Sequence, residues 1–274
     1  MTQNNKPFAV VTGASSGIGL ELAKQFARHG YNLLIAAEDT GINSVVPEIE
    51  SLGASVQAVQ VDLAKRDGVD QLYREIQAYG QPVDSIAINA GVGVGGAFIE
   101  TSLDEEINMI DLNVTSSVHL AKHVIKDMVA AGHGRVLFTS SVAATMPGPF
   151  EAVYAASKAF LLWFSLALRN ELKDKGVTVT ALMPGPTETN FFHRADMDDT
   201  KAGSKEKYGN QPEDVARQGF EALMNGDDHV LAASFKTKLQ GTLAKFLPDT
   251  LNAAMHRTMA EPGTAPDSAS EKAA

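Results

Sequence analysis

Phe8-Ala9-Val10-Val11-Thr12-Gly13-Ala14-Ser15-Ser16-Gly17-Ile18-Gly19-Leu20 is an apolar run that breaks into a glycine-rich turn and then into a helical pattern. Its first four residues carry no polar side chain, as a strand buried on both faces of a parallel sheet requires. Beyond the turn, Ile18, Leu22 and Phe26 recur at helical spacing until His29-Gly30, where glycine supplies the stop. Strand, glycine turn and helix N-terminus together form a seat for a pyrophosphate, because first-turn N–H groups point outward and glycine lets phosphates approach. The spacing is G-x-x-x-G-x-G, set by Gly13, Gly17 and Gly19 with Ser15, Ser16 and Ile18 between them.

The same grammar continues. Residues 32–37 form a second apolar run that ends in Glu38-Asp39. A carboxylate about 20 residues beyond the glycines is placed to accept from the adenosine ribose hydroxyls and to repel a 2′-phosphate. No Arg or Lys stands in the glycine loop or just after this run, so Glu38 favours NAD over NADP. Residues 41–52 read as a loose helix around Pro47, 54–61 as a strand ending at Asp62-Leu63, and 67–79 as a helix with Val69, Leu72 and Ile76 inward. A strand over 83–88 closes on the cluster Asn89-Ala90-Gly91-Val92-Gly93-Val94-Gly95-Gly96. One long helix is predicted over 103–129 with Asn113 in its middle, then a strand over 135–139 ending at Ser140-Ser141. A helix to residue 175 follows, with Phe160, Phe164, Leu168 and Leu172 as its core stripe, and a strand over 177–183 broken by Pro184-Gly185-Pro186. Residues 212–224 and 229–232 supply a last helix and strand. Strands alternating with helices imply a doubly wound, Rossmann-like α/β three-layer sandwich with a mainly parallel sheet of about seven strands.

Tyr154 and Lys158 stand four apart on one predicted helix, so their side chains share a face. A phenol near pKa 10 is a poor acid or base at neutrality, and a nearby cation lowers that value. The pair therefore suits general acid–base work, with Lys158 expected to depress the Tyr154 phenol.

Composition narrows the partners. The chain has 274 residues, 44% hydrophobic and 20% charged, which suffices for a substantial core. With 33 acidic against 23 basic residues the net charge is −10, so no global basic footprint for nucleic acid exists. Cysteine is absent, which excludes disulfides and thiolate metal sites. The N-terminal residues lack a secretory pattern, and no apolar run reaches about 18 residues, so a cytoplasmic protein without membrane association is expected. His119 and His123 are four apart, but no third ligand accompanies them in sequence; they read as surface or interface histidines and no metal is expected.

In combination these motifs resemble the short-chain dehydrogenase/reductase superfamily over residues 7–190. Thr12-Gly13-x-x-x-Gly17-Ile18-Gly19 matches its cofactor loop, and Asn89-Ala90-Gly91 its Asn-Asn-Ala-Gly segment with Ile88 in place of the first asparagine. Asn113, Ser141, Tyr154 and Lys158 match the catalytic four, Ser141 being the serine thirteen residues before the tyrosine. Pro184-Gly185-Pro186-Thr187 matches the segment that approaches the nicotinamide. The resemblance implies cofactor contacts at Gly13, Ser15, Ser16, Gly17, Ile18, Gly19, Glu38, Asp62, Leu63, Asn89, Ala90, Gly91, Tyr154, Lys158, Pro184, Gly185, Thr187 and Thr189. It implies an NAD(P)-dependent oxidoreductase interconverting an alcohol and a carbonyl, with Tyr154 passing the proton, Ser141 holding the substrate oxygen and Asn113 anchoring a water that links Lys158 to solvent. A homodimer or homotetramer is implied, joined through residues 103–129 and 150–175.

The chain is expected to fold as one domain over 1–259, with 187–210 as a substrate lid and 260–274 as a disordered tail. Phe191, Phe192 and Met197, with Met146 and Phe150, suggest a partly apolar substrate. Residues 234–259 carry Leu239, Leu243, Phe246 and Leu247 on one face and a local basic excess from Lys236, Lys238, Lys245 and Arg257. That segment reads as helices packing on the body or closing the pocket, and it keeps open the alternative of a membrane-associated lipid reductase. A nucleotide-sensing regulator with the same fold and no turnover is the other rival, weakened by the four filled catalytic positions.

Overall fold

A computed structural model describes residues 6–204, 210–232 and 248–265. Its centre is a seven-stranded sheet built from β1 (Phe8–Thr12), β2 (Asn32–Ala37), β3 (Val56–Gln60), β4 (Ser85–Ile88), β5 (Gly134–Thr139), β6 (Val177–Pro184) and β7 (His229–Ala232). The order is β3-β2-β1-β4-β5-β6-β7, and every pairing is parallel. Val10, in the interior strand β1, lies between Leu34 and Ile86. Because all of β1 is buried, its unbroken apolar run is what the two helix layers demand. The strand order reverses between β1 and β4, so the crevice for a ligand opens at the carboxyl ends of these two strands.

One face of the sheet is covered by α4 (Arg66–Ala78), α6 (Ser116–Ala131) and α7 (Ala152–Leu172), through Leu72, Ile76, Leu120, Val124 and Leu161 among others. The opposite face takes α1 (Gly17–Arg28), the short α2 (Gly41–Ser44) and α3 (Val46–Glu50), and α9 (Pro212–Asn225), through Leu22, Phe26, Ile42, Ile49 and Phe220. Phe26 meets Phe220 edge-on at 5.2 Å, which locks α1 to α9.

Three expectations change. The helix expected over 103–129 is α5 (Leu103–Ile110), a π turn (Asp111–Thr115) and then α6. The wider turn rotates Asn113 fully inward, and the Ser117 hydroxyl donates to the Asn113 carbonyl at 2.8 Å, occupying a backbone acceptor that the wider turn displaces. Along α7 the expected stripe holds at Leu172, which is buried, and at Phe164 and Leu168, which pack against the core, but Phe160 is 42% exposed, and Leu161, Leu162 and Ser165 complete the inner face. This helix is apolar nearly all round, so periodicity could not exclude Phe160 from its inner face. The tail expected to be disordered from 260 onward is docked as far as Ala265. Ala265 N–H donates to the Asp199 carbonyl and Gly263 N–H to its carboxylate, both at 2.8 Å. The apolar face assigned to Leu239, Leu243, Phe246 and Leu247 lies outside the described residues, as does the tail beyond 265.

Candidate active site

The glycine turn is held shut by Asn89. Its amide donates to the Thr12 carbonyl at 3.1 Å and to the Gly13 carbonyl at 3.4 Å, and its oxygen accepts from the Thr139 hydroxyl at 3.0 Å. Thr12 reciprocates by accepting from the N–H groups of Asn89 and Ala90, each at 3.0 Å. The ends of β1, β4 and β5 are thus tied by side chains where sheet bonding stops. Ile88, where the family motif has asparagine, is buried in the core, so the bracket works with one asparagine. Gly13 at φ +66° and Gly17 at φ +56° provide the left-handed backbone of the turn. Helix α1 begins after Ser16, which makes no side-chain cap, and its first turn carries no acidic residue. Uncapped N–H groups and the positive end of the helix dipole therefore face the turn. Across from it stands Thr189, whose methyl carbon lies 3.1 Å from where a Cβ on Gly17 would sit. These residues fit a dinucleotide: a donor-rich anion seat on one side, and the 184–189 segment on the other. That segment is braced by Asn210, whose amide donates to the Pro186 carbonyl at 2.7 Å.

At the end of β2 two carboxylates appear, and the one built into the loop is Asp39, not Glu38. Asp39 accepts from the Ser15 hydroxyl at 2.6 Å and from Gly41 N–H at 3.0 Å. Glu38 is exposed, and its carbonyl accepts from Gln60 at 3.0 Å. Reading by spacing alone could not tell adjacent acids apart. Asp62 accepts from Ala64 N–H at 2.9 Å and pairs with Lys65, while Leu63 is buried beside it.

The four residues expected to be catalytic, Asn113, Ser141, Tyr154 and Lys158, converge at the carboxyl ends of β4 and β5. Lys158 and Tyr154 are both almost fully buried on α7, with the Lys158 Nζ 5.7 Å from the tyrosine ring centroid. The ammonium donates to the Thr139 carbonyl at 3.0 Å. Ser141 caps a short 3-10 turn (Val142–Thr145), accepting from Ala143 N–H at 3.1 Å, and hydrogen-bonds Tyr154. Asn113 accepts from Val92 N–H at 3.0 Å and donates to the Val92 carbonyl at 2.9 Å and the Ser157 hydroxyl at 3.1 Å. Its side chain thereby fixes the loop after β4 against α7.

Electrostatics reverse one expectation. The Tyr154 phenol is pushed up, chiefly by burial and then by the Glu151 carboxylate, with the Ser141 hydrogen bond acting the other way. Lys158 is pushed down to about 8 by burial. In so dry a site, desolvation sets the direction of both shifts.

Part of the segment expected to form a lid lies against Tyr154. Phe191, opening α8 (Phe191–Arg194), lies against Tyr154 with ring centroids 5.2 Å apart. A Cβ on Gly93 would meet the Phe191 ring at 2.6 Å, and one on Gly95 would meet Met197 at 2.3 Å. The glycines after β4 are thus needed where the lid lands. Phe192 and Met197 are buried in a small core with Ala195, Ala202 and Ala260, whereas Phe191 packs on that core and lies against Tyr154. The segment expected to hold helices that pack on the body or close the pocket contributes α10 (Asp249–Ala260). His256 on that helix sits 3.3 Å from the Glu151 carboxylate and 3.2 Å from the Pro149 carbonyl, and Arg257 lies 5.2 Å from the Phe150 ring centroid.

An open parallel sheet with a glycine-turn anion seat, and a buried Tyr/Lys/Ser group beside it, defines an α/β dehydrogenase. Residues 7–200 match the family model described as short chain dehydrogenase, and the chain belongs to that family. It is 36% identical over 220 residues to an uncharacterised short-chain type dehydrogenase/reductase of Sinorhizobium fredii, covering 78% of this chain and 84% of the relative. Among solved structures it resembles a short-chain dehydrogenase from Sphingobium yanoikuyae in complex with NADPH, with a TM-score of 0.77 and 25% identity over 88% of this chain and 96% of the other. A short-chain dehydrogenase/reductase from Burkholderia phymatum in complex with NAD has the same fold, with a TM-score of 0.78 and 23% identity over 89% and 94% of the two chains. The protein is accordingly an oxidoreductase, which sets aside the regulator without turnover.

Proposed function

We propose that this protein reduces a carbonyl, or oxidises the matching alcohol, on a small and partly apolar substrate, with Tyr154 as the acid/base group. The carrying observation is the placement of Tyr154, Ser141 and Lys158 in one buried volume between the cofactor turn and the lid. When bound, the nicotinamide supplies or accepts the hydride. Tyr154 donates its proton to the carbonyl oxygen, and Ser141 holds that oxygen as charge develops on it. Lys158 stabilises the phenolate left behind, and Asn113 keeps the loop after β4 in register with α7. Phe191 offers an apolar wall to the substituent beside the carbonyl. A screen of ketones and alcohols followed by nicotinamide absorbance tests the assignment, and no turnover of either class would count against it.

The protonation states favour reduction at neutral pH. A phenol pushed up keeps its proton, and an amine at about 8 is largely charged. Reductive kcat is expected to hold from pH 6 to 7 and to fall as pH rises through about 8, where Lys158 loses its charge. Oxidation needs the phenolate and climbs with pH over the same range. Glu151→Gln removes a negative charge that raises the phenol, so the rise in oxidation moves to lower pH. Profiles of kcat/KM that stay flat to pH 10 and ignore the substitution would exclude this coupling.

NAD(H) is the proposed cofactor. Solved family members hold NAD or NADPH, so the family leaves the choice open. In this chain a 2′-phosphate would meet Asp39 in the glycine loop and Glu38 next to it. NAD(H) is expected to bind at least about tenfold more tightly than NADP(H), a difference of about 1.4 kcal/mol. Fluorescence titration with both nucleotides checks this, and tighter NADP(H) binding overturns it.

A second copy of the chain is the proposed partner of the α5–α7 face. Leu103, Ile107, Phe160 and Trp163 are exposed there, Trp163 at 69%. By length and composition α7 could also cross a membrane, but its inner face carries Tyr154 and Lys158 against the sheet, which favours a protein partner for its outer face. Light scattering that shows only monomer would refute the pairing.

A further inference from the structure

Away from the catalytic crevice, α4 and α6 pack side by side and bring together residues that the chain keeps about fifty positions apart. Asp70 on α4 places its Oδ1 3.0 Å from the Nε2 of His119 on α6. His123, one helical turn on, joins them: one ligand atom from each of the three lies within 4.8 Å of the others, and all three side chains are half-buried. A histidine pair at i and i+4 presents both rings to one point on a helix surface, and the carboxylate arrives from the neighbouring helix.

The cluster is also braced. Tyr73, three residues after Asp70 on the same face of α4, stacks on the His123 ring with centroids 4.4 Å apart and planes 22° apart. The Tyr73 hydroxyl donates to Asp127 at 2.9 Å, and Gln77 donates to the same oxygen at 2.9 Å. Asp127 is one turn beyond His123 on α6. Two ladders therefore interlock, Asp70/Tyr73/Gln77 on one helix and His119/His123/Asp127 on the other. Stacking of this kind fixes a ligand ring's orientation before an ion arrives, which is how outer residues support a metal site.

We propose that Asp70, His119 and His123 bind a divalent transition-metal ion, zinc or nickel being the chemistry that suits two imidazoles and a carboxylate. Three protein ligands leave the remaining positions to water. Asp70 and the two histidines belong to none of the catalytic or cofactor contacts, so the ion acts as a staple between α4 and α6. Because α6 continues directly from the π turn that carries Asn113, pinning it stiffens the wall behind the catalytic site.

The test is calorimetry with Zn2+ or Ni2+ alone, on chain stripped with a chelator, together with thermal unfolding. One ion per chain is expected at pH 7.5, with a rise in Tm of several degrees at saturating metal. His123→Ala should abolish binding, and Asp70→Asn should weaken it by at least about tenfold, a loss on the scale seen when a metal site is compromised. Affinity should fall with acidity, because a proton and the metal compete for the same imidazole nitrogen. Neither variant should change Tm in the absence of metal by as much as metal raises it in the parent chain. His193→Ala, at a separate exposed histidine paired with Asp198, should leave binding intact. Absence of binding, or binding untouched by both His123→Ala and Asp70→Asn, overturns the proposal; if His123→Ala does not fold, Asp70→Asn decides alone.

Discussion

Tyr154→Phe is expected to lower kcat by about 10²- to 10⁴-fold, the usual worth of a positioned proton donor. The substitution removes one oxygen and keeps the ring that lies 5.2 Å from Phe191, so the lid retains its contact. The lost hydroxyl sits in a site dry enough to push the phenol up, and its hydrogen-bonding partner is Ser141. Ser141 still accepts from Ala143 N–H, so the turn that positions it does not depend on the tyrosine. Folding and dinucleotide affinity should therefore change little, and kcat and kcat/KM should fall together, as when an interaction made only in the transition state is lost. Steady-state kinetics, thermal unfolding and nucleotide titration on one preparation separate these effects. Turnover within about tenfold of the parent would remove Tyr154 from the chemistry.

Gly19→Ala is expected to disable the cofactor turn. A Cβ at Gly19 would stand 2.0 Å from the Gly13 carbonyl oxygen and 2.6 Å from the Asn89 amide nitrogen. Both neighbours belong to the bracket that ties β1 to β4, and the nearer is backbone, so relief requires opening the turn. Overpacking of this kind costs about 1–3 kcal/mol, to be read as a fall in Tm. The larger effect should be on dinucleotide Kd, since the first-turn N–H groups of α1 lose their common focus. Gly30→Ala is the control. Gly30 ends α1 at φ +82° with nothing within 4 Å of a new Cβ, so only backbone strain of about 1–2 kcal/mol enters. If the Gly19 variant binds nucleotide as tightly as the Gly30 variant, the turn is not the anion seat.

Short-range features of the fold were legible because each is enforced locally. The run Phe8–Val11 could only be a two-sided strand, and the glycine spacing with Leu22 and Phe26 beyond could only turn into a helix. Each strand and each helix long enough to show a period follows from the same reading. The π turn at Asp111–Thr115 was not legible, because a wider turn leaves no mark in apolar spacing; only the need to bury Asn113 against Val92 and Ser157 reveals it. The exposure of Phe160 on α7 was hidden for the opposite reason, since both faces of that helix are apolar. Within the site, the residue types at 141, 154 and 158 were readable, but the direction of the Tyr154 shift was not. Sequence distance places a cation beside a phenol; depth of burial decides that desolvation wins.

By itself the sequence determined the α/β class, the glycine turn and the identity of the residues proposed to carry acid–base chemistry, because strand hydrophobicity, glycine backbone freedom and helical spacing act over a few residues. Only the tertiary structure decided that Asp39 rather than Glu38 reaches the glycine loop, that His256 meets Glu151 beside the tyrosine, and that Asp70 joins His119 and His123. These groups are brought together by how helices pack on the sheet. Contact across packed elements depends on rotation and depth, quantities that no local pattern of residues records.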